Sequence, residues 1–296
     1  MAALSPSLAT TPGGPGPGPA PRRWNALGAL RRSRTGLPER IALTLVLLLT
    51  VLLLLAPLLA PHTAKAIVGD PFVAPGGRFW LGTDSQGRDV WSRVLVGLRV
   101  SWFGALAVIA IGAAVGSVIG LVAGMSGGVV DAVLMRLTDA ALALPGTLVA
   151  LMVVAALGPS LRNTLLAVAV TWWPWYARIV RGQTRTVMQL PHVDAARLGG
   201  FSPVRRALVH VLPGSLGPVL VAASMDVGSV LLVLAGLSFI GLGSPPPAAE
   251  IGSMSAGGLT YLFNAPWIAL APAVALFAVA VLANYAGDGL QDLVEG

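Results

Sequence analysis

Several long stretches of this chain contain no charged residue, including two in its first half that are rich in apolar residues. One is the 21-residue run from Ile41 to Pro61, which is mostly Leu and Val, and the other is the 31-residue run from Val100 to Val130. A helix of about 20 apolar residues is long enough to cross the hydrocarbon layer of a membrane. Both stretches therefore predict membrane-spanning helices, and the chain as a whole is predicted to be an all-α membrane protein.

Four further apolar windows bring the number of predicted transmembrane helices to six. They run from Ala140 to Leu161, from Asn163 to Ala177, from Ser215 to Ile240 and from Pro266 to Ala286. The second of these is short and ends in three Trp and one Tyr, a composition typical of a membrane interface. We expect a first helix at 40–62 and a core of five helices at 100–287.

Composition supports a membrane protein and excludes several other classes. Of the 296 residues, 55% are hydrophobic and only 10% are charged, whereas about 25% are charged in ordinary soluble domains. A soluble enzyme of this composition would lack the polar side chains to cover its surface. The chain has no Cys, which excludes disulfides, thiolate metal sites and cysteine nucleophiles.

The basic residues predict how the chain is oriented. With a cytoplasmic amino terminus, thirteen of the 19 Lys and Arg residues are cytoplasmic and six lie outside, as the positive-inside rule requires. Both termini, including the tail at 288–296, are then cytoplasmic, and residues 63–99 are extracytoplasmic. Residues 1–39, rich in Pro, Gly and Arg, predict a disordered cytoplasmic tail. They show no signal-peptide cleavage pattern, so we expect the tail to be retained and to fix topology or contact lipid.

Glycine recurs at intervals of four or eight along the second predicted span. Such a stripe lets a second helix approach backbone to backbone. Packing within this chain and packing against another subunit both stay open as interpretations. The stripe consists of Gly104, Gly112, Gly116, Gly120 and Gly124.

The longest polar segment lies between the fourth and fifth spans and predicts two short helices separated by a turn. Pro191 suits the first turn of the first helix, and Gly199 and Gly200 suit its end. Ser202 fits the N-cap of the second helix, which we expect to end at Pro213. Either the segment is a solvated basic loop, or its small residues dock into a groove of a partner.

Within this segment, Asp194-Ala195-Ala196, then Gly200, then Leu212-Pro213 resemble the EAA loop of ABC-importer permeases. The family pattern is Glu-Ala-Ala, three residues, Gly and a closing Leu-Pro, and Asp in place of Glu shortens the reach of the carboxylate. In the family this loop is a coupling helix that docks on a cytoplasmic ATPase. The resemblance implies a coupling loop at 182–213, with contacts from Asp194, Ala195, Ala196, Gly200, Ser202, Pro203, Leu212 and Pro213.

Three further segments resemble the dipeptide, oligopeptide and nickel permeases of the DppC or OppC type. They are 82–93, similar to GTDxxGRDxxSR, 237–243, similar to LSFLGLG, and 287–292, similar to GDGLRD. The apolar pattern that begins within the first segment predicts an interfacial helix with Asp89 paired to Arg93. The residues expected to face lipid are Val90, Trp91, Val94, Leu95 and Leu98. The extracytoplasmic motif comprises Gly82, Thr83, Asp84, Gly87, Arg88, Asp89 and Arg93.

The resemblance implies a type I ABC-importer permease fold in the bacterial cytoplasmic membrane. The chain would pair with a second permease subunit of the DppB or OppB type and with two ATPase subunits that bind ATP and Mg. An extracytoplasmic solute-binding protein would deliver dipeptides or oligopeptides, which cross by alternating access. This chain itself would bind no cofactor and no metal. Nickel or another small solute stays open as cargo, since nickel permeases share these motifs.

Asp226 lies inside the fifth predicted span and is a pathway or gating candidate, together with Ser238 and Phe239. An ionisable residue within a span is costly to bury, so it marks a functional position. Two roles stay open: a polar partner for helix packing or gating, or contact with the solute. Leu234 departs from the family, which often has Glu there.

Residues 124–127 form a GxSG string that resembles rhomboid intramembrane proteases. A serine nucleophile needs a base within reach, usually His. In the predicted topology His62 lies on the opposite side of the membrane, and His192 and His210 lie in the polar segment. We therefore expect no catalytic residue. The sequence also lacks a Walker A string and any nucleic-acid-binding module, so we expect this chain to bind neither ATP nor nucleic acid.

Overall fold

The computed structural model describes residues 37–295, so the tail predicted at 1–39 lies almost wholly outside the described residues. This part of the chain is helical, with isolated β-bridges between Ile67 and Arg88 and between Thr83 and Asp89. A π-helical turn at Ala207–Val211 joins the helices Pro203–Arg206 and Leu212–Phe239, and a 3-10 turn at Leu259–Tyr261 follows the helix Ile251–Gly258. The α-helices are Leu37–Leu54 (α1), Ala56–Leu59 (α2), Val90–Ser126 (α3), Gly128–Ala143 (α4), Gly146–Leu157 (α5), Leu161–Val187 (α6), Pro191–Leu198 (α7), Pro203–Arg206 (α8), Leu212–Phe239 (α9), Ile251–Gly258 (α10) and Trp267–Glu295 (α11).

Three helices in the described residues are long and apolar enough to cross a membrane: Val90–Ser126, Pro203–Phe239 and Trp267–Gln291. The bent pair α4 and α5 gives a fourth if it is counted as one span. The prediction of a helical membrane protein is thus confirmed, whereas six spans are not. The first predicted span holds only a short apolar helix, Leu43–Leu54. The fourth lies within α6, whose sequence also carries several Arg.

The third predicted span is broken at Pro145, where α4 and α5 meet at 84°. Proline has no backbone N–H and disfavours the helical conformation in the residue before it. Leu144 is accordingly extended, at φ −94° and ψ 137°. Two helices therefore replace the single helix predicted from Ala140 to Leu161.

The helix α3 begins at Val90 and continues without a break, so the interfacial helix predicted before residue 100 is the first part of this long helix. Val90, Val94 and Leu98, which were predicted to face lipid, are at most 8% exposed. Packing on α10 removes this part of α3 from lipid, because Gly97 lies against Ile251 there.

The glycine stripe of α3 packs against α6 of the same chain. A Cβ atom at Gly116 would lie 2.5 Å from the carbonyl oxygen of Trp173, and one at Gly120 would lie 2.5 Å from that of Ala177. Any larger side chain at these positions would push the two backbones apart. The structure thus favours packing within the chain over packing on another subunit for this stripe.

Candidate functional site

The segment between α6 and α9 holds the residues that the resemblance assigns to coupling, and we call residues 190–213 the Asp194 loop. Pro191 occupies the first turn of α7, after the extended Leu190. Val193 and Ala196 are buried, whereas Asp194 and Ala195 on the other face are exposed. The face that carries the carboxylate is therefore open to a partner.

The helix α7 ends in a glycine-dependent turn, as predicted. The backbone N–H of Gly200 donates to the carbonyl oxygen of Arg197 at 3.1 Å, and that of Phe201 donates to Ala196 at 3.2 Å. This pair of bonds is a Schellman motif, which needs a left-handed residue at its turn. Gly200 has φ +75°, and a Cβ built on it would meet no atom within 4 Å. Backbone conformation, and not space, therefore requires glycine at position 200.

The second half of the Asp194 loop begins as predicted and ends differently. Ser202 caps α8 by accepting a hydrogen bond from the backbone N–H of Arg205 at 3.3 Å. The chain then passes through the π-helical turn directly into α9, so the prediction that Pro213 ends the helix is wrong. Pro213 lacks the N–H that an α-helix would direct to Val209, and a wider turn next to this position accommodates that loss.

Apolar side chains on the Asp194 loop are exposed. Leu198 is 89% exposed, Val204 is 68% exposed and Leu208 is 56% exposed. A loop that only carries charge into solvent would not present such a surface, whereas a docking element does. The exposure therefore favours the docking interpretation.

Ring contacts join the two arms of the Asp194 loop. The ring of His210 lies 6.5 Å from that of His192 in α7 and 5.6 Å from that of Phe201, centroid to centroid. The Arg205 guanidinium lies 4.4 Å from the Phe201 ring, in a cation–π contact. These contacts connect α7, α8 and the π-helical turn.

Sequence reasoning missed a charge cluster that ties α6 to α4 beside this loop. Asp131 of α4 accepts from Nε and Nη2 of Arg181, at 2.5 and 2.7 Å, and also from Arg185. Asp139, two turns further along α4, pairs with Arg178 at 2.7 Å. The available signal was the matched spacing of acidic and basic residues, eight apart on α4 and seven or fewer apart on α6, whereas the positive-inside rule uses these Arg only to set orientation.

The segment 82–93 forms a buried turn that leads into α3. Asp84 Oδ1 accepts from the backbone N–H groups of Gln86 and Arg88, at 2.9 and 3.0 Å, and Arg88 Nε donates to Asp84 Oδ2 at 2.6 Å. Gly87 has φ +76°, and a Cβ on it would lie 2.1 Å from the carbonyl oxygen of Gly69. Gly82 is also left-handed, at φ +72°. The aspartate, the arginine and the glycines therefore build this turn together.

The predicted pairing of Asp89 with Arg93 is wrong, because each side chain has other partners. Asp89 caps α3 by accepting from the backbone N–H of Ser92 at 3.1 Å. Arg93 donates to the carbonyl oxygens of Ala64, Pro247 and Ala248, at 2.7, 3.3 and 3.3 Å. Trp267 Nε1 of α11 donates a hydrogen bond to the carbonyl oxygen of Thr83 at 3.1 Å. The motif thus connects parts of the chain that are distant in sequence.

Ser238 and Phe239 lie at the far end of α9, away from Asp226. Ser238 is 1% exposed and donates to Oε1 of Glu250, whose Oε2 accepts from the backbone N–H of Ser244 at 2.6 Å. Phe239 is 43% exposed. At about 1.5 Å per residue, twelve residues of helix separate Ser238 from Asp226 by about 18 Å. The three residues therefore do not form one site.

Asp226 lines an open cavity of about 250 Å³ together with Thr171, Trp172 and Trp175 of α6; we call it the Asp226 cavity. Trp172 Nε1 and the Tyr176 hydroxyl both donate to Asp226 Oδ2, at 3.0 and 2.7 Å. The polar partner expected for Asp226 is thus a pair of neutral aromatic donors.

The structure gives no support to a serine nucleophile at Ser126. The first glycine of that string, Gly124, lies against Thr184 of α6, so the string takes part in helix packing. His62 contacts Asp89 at 3.5 Å, and the rings of His192 and His210 lie near each other in the Asp194 loop.

Comparison with known proteins agrees with this architecture. Residues 116–296 match the family described as "Binding-protein-dependent transport system inner membrane component". The chain is 40% identical over 267 residues to the probable D,D-dipeptide transport system permease protein DdpC of Escherichia coli K12, covering 90% of this chain and 89% of that protein. It is 38% identical to the glutathione transport system permease protein GsiD of Escherichia coli O157:H7, over 90% and 88% of the two chains.

A solved structure shares the fold at low identity. The crystal structure of an amino acid ABC transporter with histidines matches 66% of this chain and 91% of that chain, with a TM-score of 0.51 and 17% identity. The helical arrangement described above is thus found in an ABC transporter. Together with the family match, it shows that this chain belongs to the inner membrane components of binding-protein-dependent transport systems.

Proposed function

We propose that this chain is a permease subunit of an ATP-driven importer of short peptides. The exposed Asp194 loop carries the proposal, because it presents an apolar docking surface and continues directly into a membrane-length helix, Pro203–Phe239. Two relatives are named for D,D-dipeptide and glutathione transport, which favours peptides over nickel as cargo. In this proposal, energy comes from ATP and Mg bound by partner ATPase subunits and not by this chain.

The Asp194 loop would act as the coupling element, in an orientation that places both termini on the cytoplasmic side. An ATPase subunit docks on α7 and on the apolar side chains beside it, and its closure displaces the loop. Because α8, the π-helical turn and α9 are continuous, the displacement reaches Asp226 on α9. The ion pairs of Asp131 transmit it to α4 as well.

The rest of the complex follows from the same proposal. A second permease subunit of related fold completes the pathway, and a solute-binding protein docks on the extracytoplasmic side, where the 82–93 turn and the 244–266 segment lie. The hydrogen bonds of Arg93 and Trp267 hold these segments together and give the binding protein a rigid surface. Alternating access then needs only two packings of the helices that differ in affinity for the two states of the ATPases.

Docking is tested by placing a charge on the exposed apolar surface. We expect Leu198→Asp to abolish co-purification of the ATPase subunits with the permease, because burying an unpaired carboxylate in an apolar contact is costly. Phe263→Asp is the matched control: Phe263 is 98% exposed but lies outside the Asp194 loop, so the ATPases should still co-purify. Undiminished co-purification of the ATPases with the Leu198 variant would overturn the coupling role of the loop.

The transport function has its own test. Proteoliposomes that contain the permease pair, the ATPases and the binding protein should take up a labelled dipeptide only when ATP is present on the ATPase side. Uptake that is indifferent to ATP would identify a channel and contradict the proposal.

A further inference from the structure

The Asp226 cavity combines a carboxylate on the membrane-length helix α9 with aromatic surface on α6. Trp175 is 50% exposed, and Trp172 is partly exposed beside it. The cavity is open to its surroundings and has a volume of about 250 Å³. A small polar group with a few carbon atoms fits such a space.

The negative charge of Asp226 has no positive partner among the described residues. The ion pairs formed in that part of the chain involve other carboxylates. Both hydrogen bonds to Asp226 come from neutral donors and end on Oδ2, so Oδ1 is left for another donor. A carboxylate in a membrane helix is normally paired with a cation or faces a pathway.

The two features together select for a cation with hydrogen-bond donors. Indole faces attract cations through their negative π surface, and a carboxylate oxygen accepts a charge-assisted hydrogen bond. A primary ammonium group supplies both a charge and three donors. Every peptide with a free amino terminus carries such a group.

We propose that Asp226, Trp172 and Trp175 form a subsite that binds the ammonium group of the transported peptide during its passage through the membrane domain. The proposal rests on the proposed function, since it names the part of the solute that this chain contacts. Asp226 Oδ1 accepts a hydrogen bond from the ammonium group, the two indoles contact its charge, and the Tyr176 hydroxyl holds the carboxylate in place. In each transport cycle, the carboxylate thus binds the ammonium group of the solute and then releases it.

The test measures binding to the assembled transporter in lipid nanodiscs, without the solute-binding protein. The probes are radiolabelled alanyl-alanine and its N-acetyl derivative, in equilibrium dialysis. We expect the wild-type complex to bind the free-amine dipeptide at least about tenfold more tightly than the acetylated one. Asp226→Asn keeps an acceptor oxygen for Trp172 and Tyr176 and removes the charge, so the preference should disappear. Equal binding of both probes by the wild type, binding of neither, or a preserved preference in the variant would each overturn the proposal.

Two additional variants separate this role from folding. Asp139→Asn makes the same chemical change at a half-exposed carboxylate outside the cavity and should keep the preference for the free amine. Trp175→Leu removes one indole and leaves the carboxylate network in place, so the preference should fall severalfold. If Asp226→Asn does not assemble, an unchanged preference in Trp175→Leu still overturns the subsite.

Uptake distinguishes this inference from the proposed function. If wild-type proteoliposomes import the dipeptide with ATP but the complex shows no preference for the amine, only the subsite is wrong. If they import no peptide, the proposed function is wrong. A basic side chain of the second permease subunit is the alternative partner of Asp226. In that case Asp226→Asn would not assemble, and the wild-type complex would show no preference for the free amine, which would overturn the subsite.

Discussion

Position 200 requires glycine because of its backbone conformation, and not because a neighbouring side chain limits the space. Its φ of +75° closes the Schellman motif that ends α7, and the space around it is open. A left-handed conformation costs a residue with a Cβ about 1–2 kcal/mol, and Asn bears it better than most. The position therefore tests conformation and size separately.

We expect Gly200→Asn to retain most ATP-driven uptake and Gly200→Val to lose most of it. The Val side chain is incompatible with the left-handed turn, so α7 and α8 would change their relative orientation. The measurement is peptide uptake per ATP hydrolysed in proteoliposomes. Gly236→Ala, on the open surface of α9 and outside the Asp194 loop, is the control and should behave as wild type. Equal loss in the Asn and Val variants would mean that the size of the side chain, and not the turn, is decisive.

At the scale of elements, the close contact between α3 and α6 depends on glycines of α3, which have no side chain to separate the two backbones. From Gly112 to Gly124 the glycines of α3 lie against Trp172 to Thr184 of α6. Close approach of this kind provides van der Waals contact, which is a main source of helix association in a membrane.

Gly120→Ala should lower the stability of the permease by about 1–3 kcal/mol, because its Cβ would lie 2.5 Å from the carbonyl oxygen of Ala177. The midpoint of thermal unfolding of the purified complex measures this. Gly236→Ala adds the same methyl group to α9, where it meets no atom within 4 Å, and should leave the midpoint unchanged. Identical midpoints for the two variants would contradict the packing described for α3 and α6.

At the scale of the whole molecule, the 82–93 turn connects segments that are far apart in sequence. Arg93 bonds to carbonyl oxygens near residues 64 and 247, and Trp267 bonds to Thr83. The turn thereby fixes the start of α3 relative to α10 and α11.

Gly87→Ala should prevent this assembly, because its Cβ would lie 2.1 Å from the carbonyl oxygen of Gly69. We expect rapid proteolysis of the 62–90 region in membranes and a loss of folded permease. Gly77→Ala lies in the same region in open space and should be as resistant to proteolysis as wild type. A protease-resistant Gly87 variant would show that this turn is dispensable.

Local signals in the sequence predicted local structure well. The Gly200 turn and the Ser202 cap follow from the preferences of single residues, and both are confirmed. The break at Pro145 was available from the same kind of signal, but the apolar composition around it outweighed the proline in the prediction.

Contacts between distant segments could not be predicted in this way. Val90 and Val94 are buried although their apolar pattern equally fitted lipid, and further along the same helix Gly97 lies against Ile251 of α10, more than 150 residues later. The partners of Asp226 and Asp131 lie about 50 residues away along the chain, on α6. The sequence identified Asp226 as a candidate because burying an ionisable residue in a membrane is costly in free energy. It did not predict the aromatic cavity that Asp226 faces.

The hydrogen bond from Ser238 to Glu250 anchors the far end of α9, and we take this end as the fixed point of the proposed coupling movement. From there the continuous helix extends about 18 Å to Asp226 and about 52 Å to Pro203, at about 1.5 Å per residue. A tilt of about 5° then moves the Asp194 loop by about 4–5 Å but Asp226 by only about 1.6 Å. In the proposed coupling movement, the shorter distance to Asp226 would reduce the displacement of the Asp194 loop to one of the size that makes or breaks one hydrogen bond.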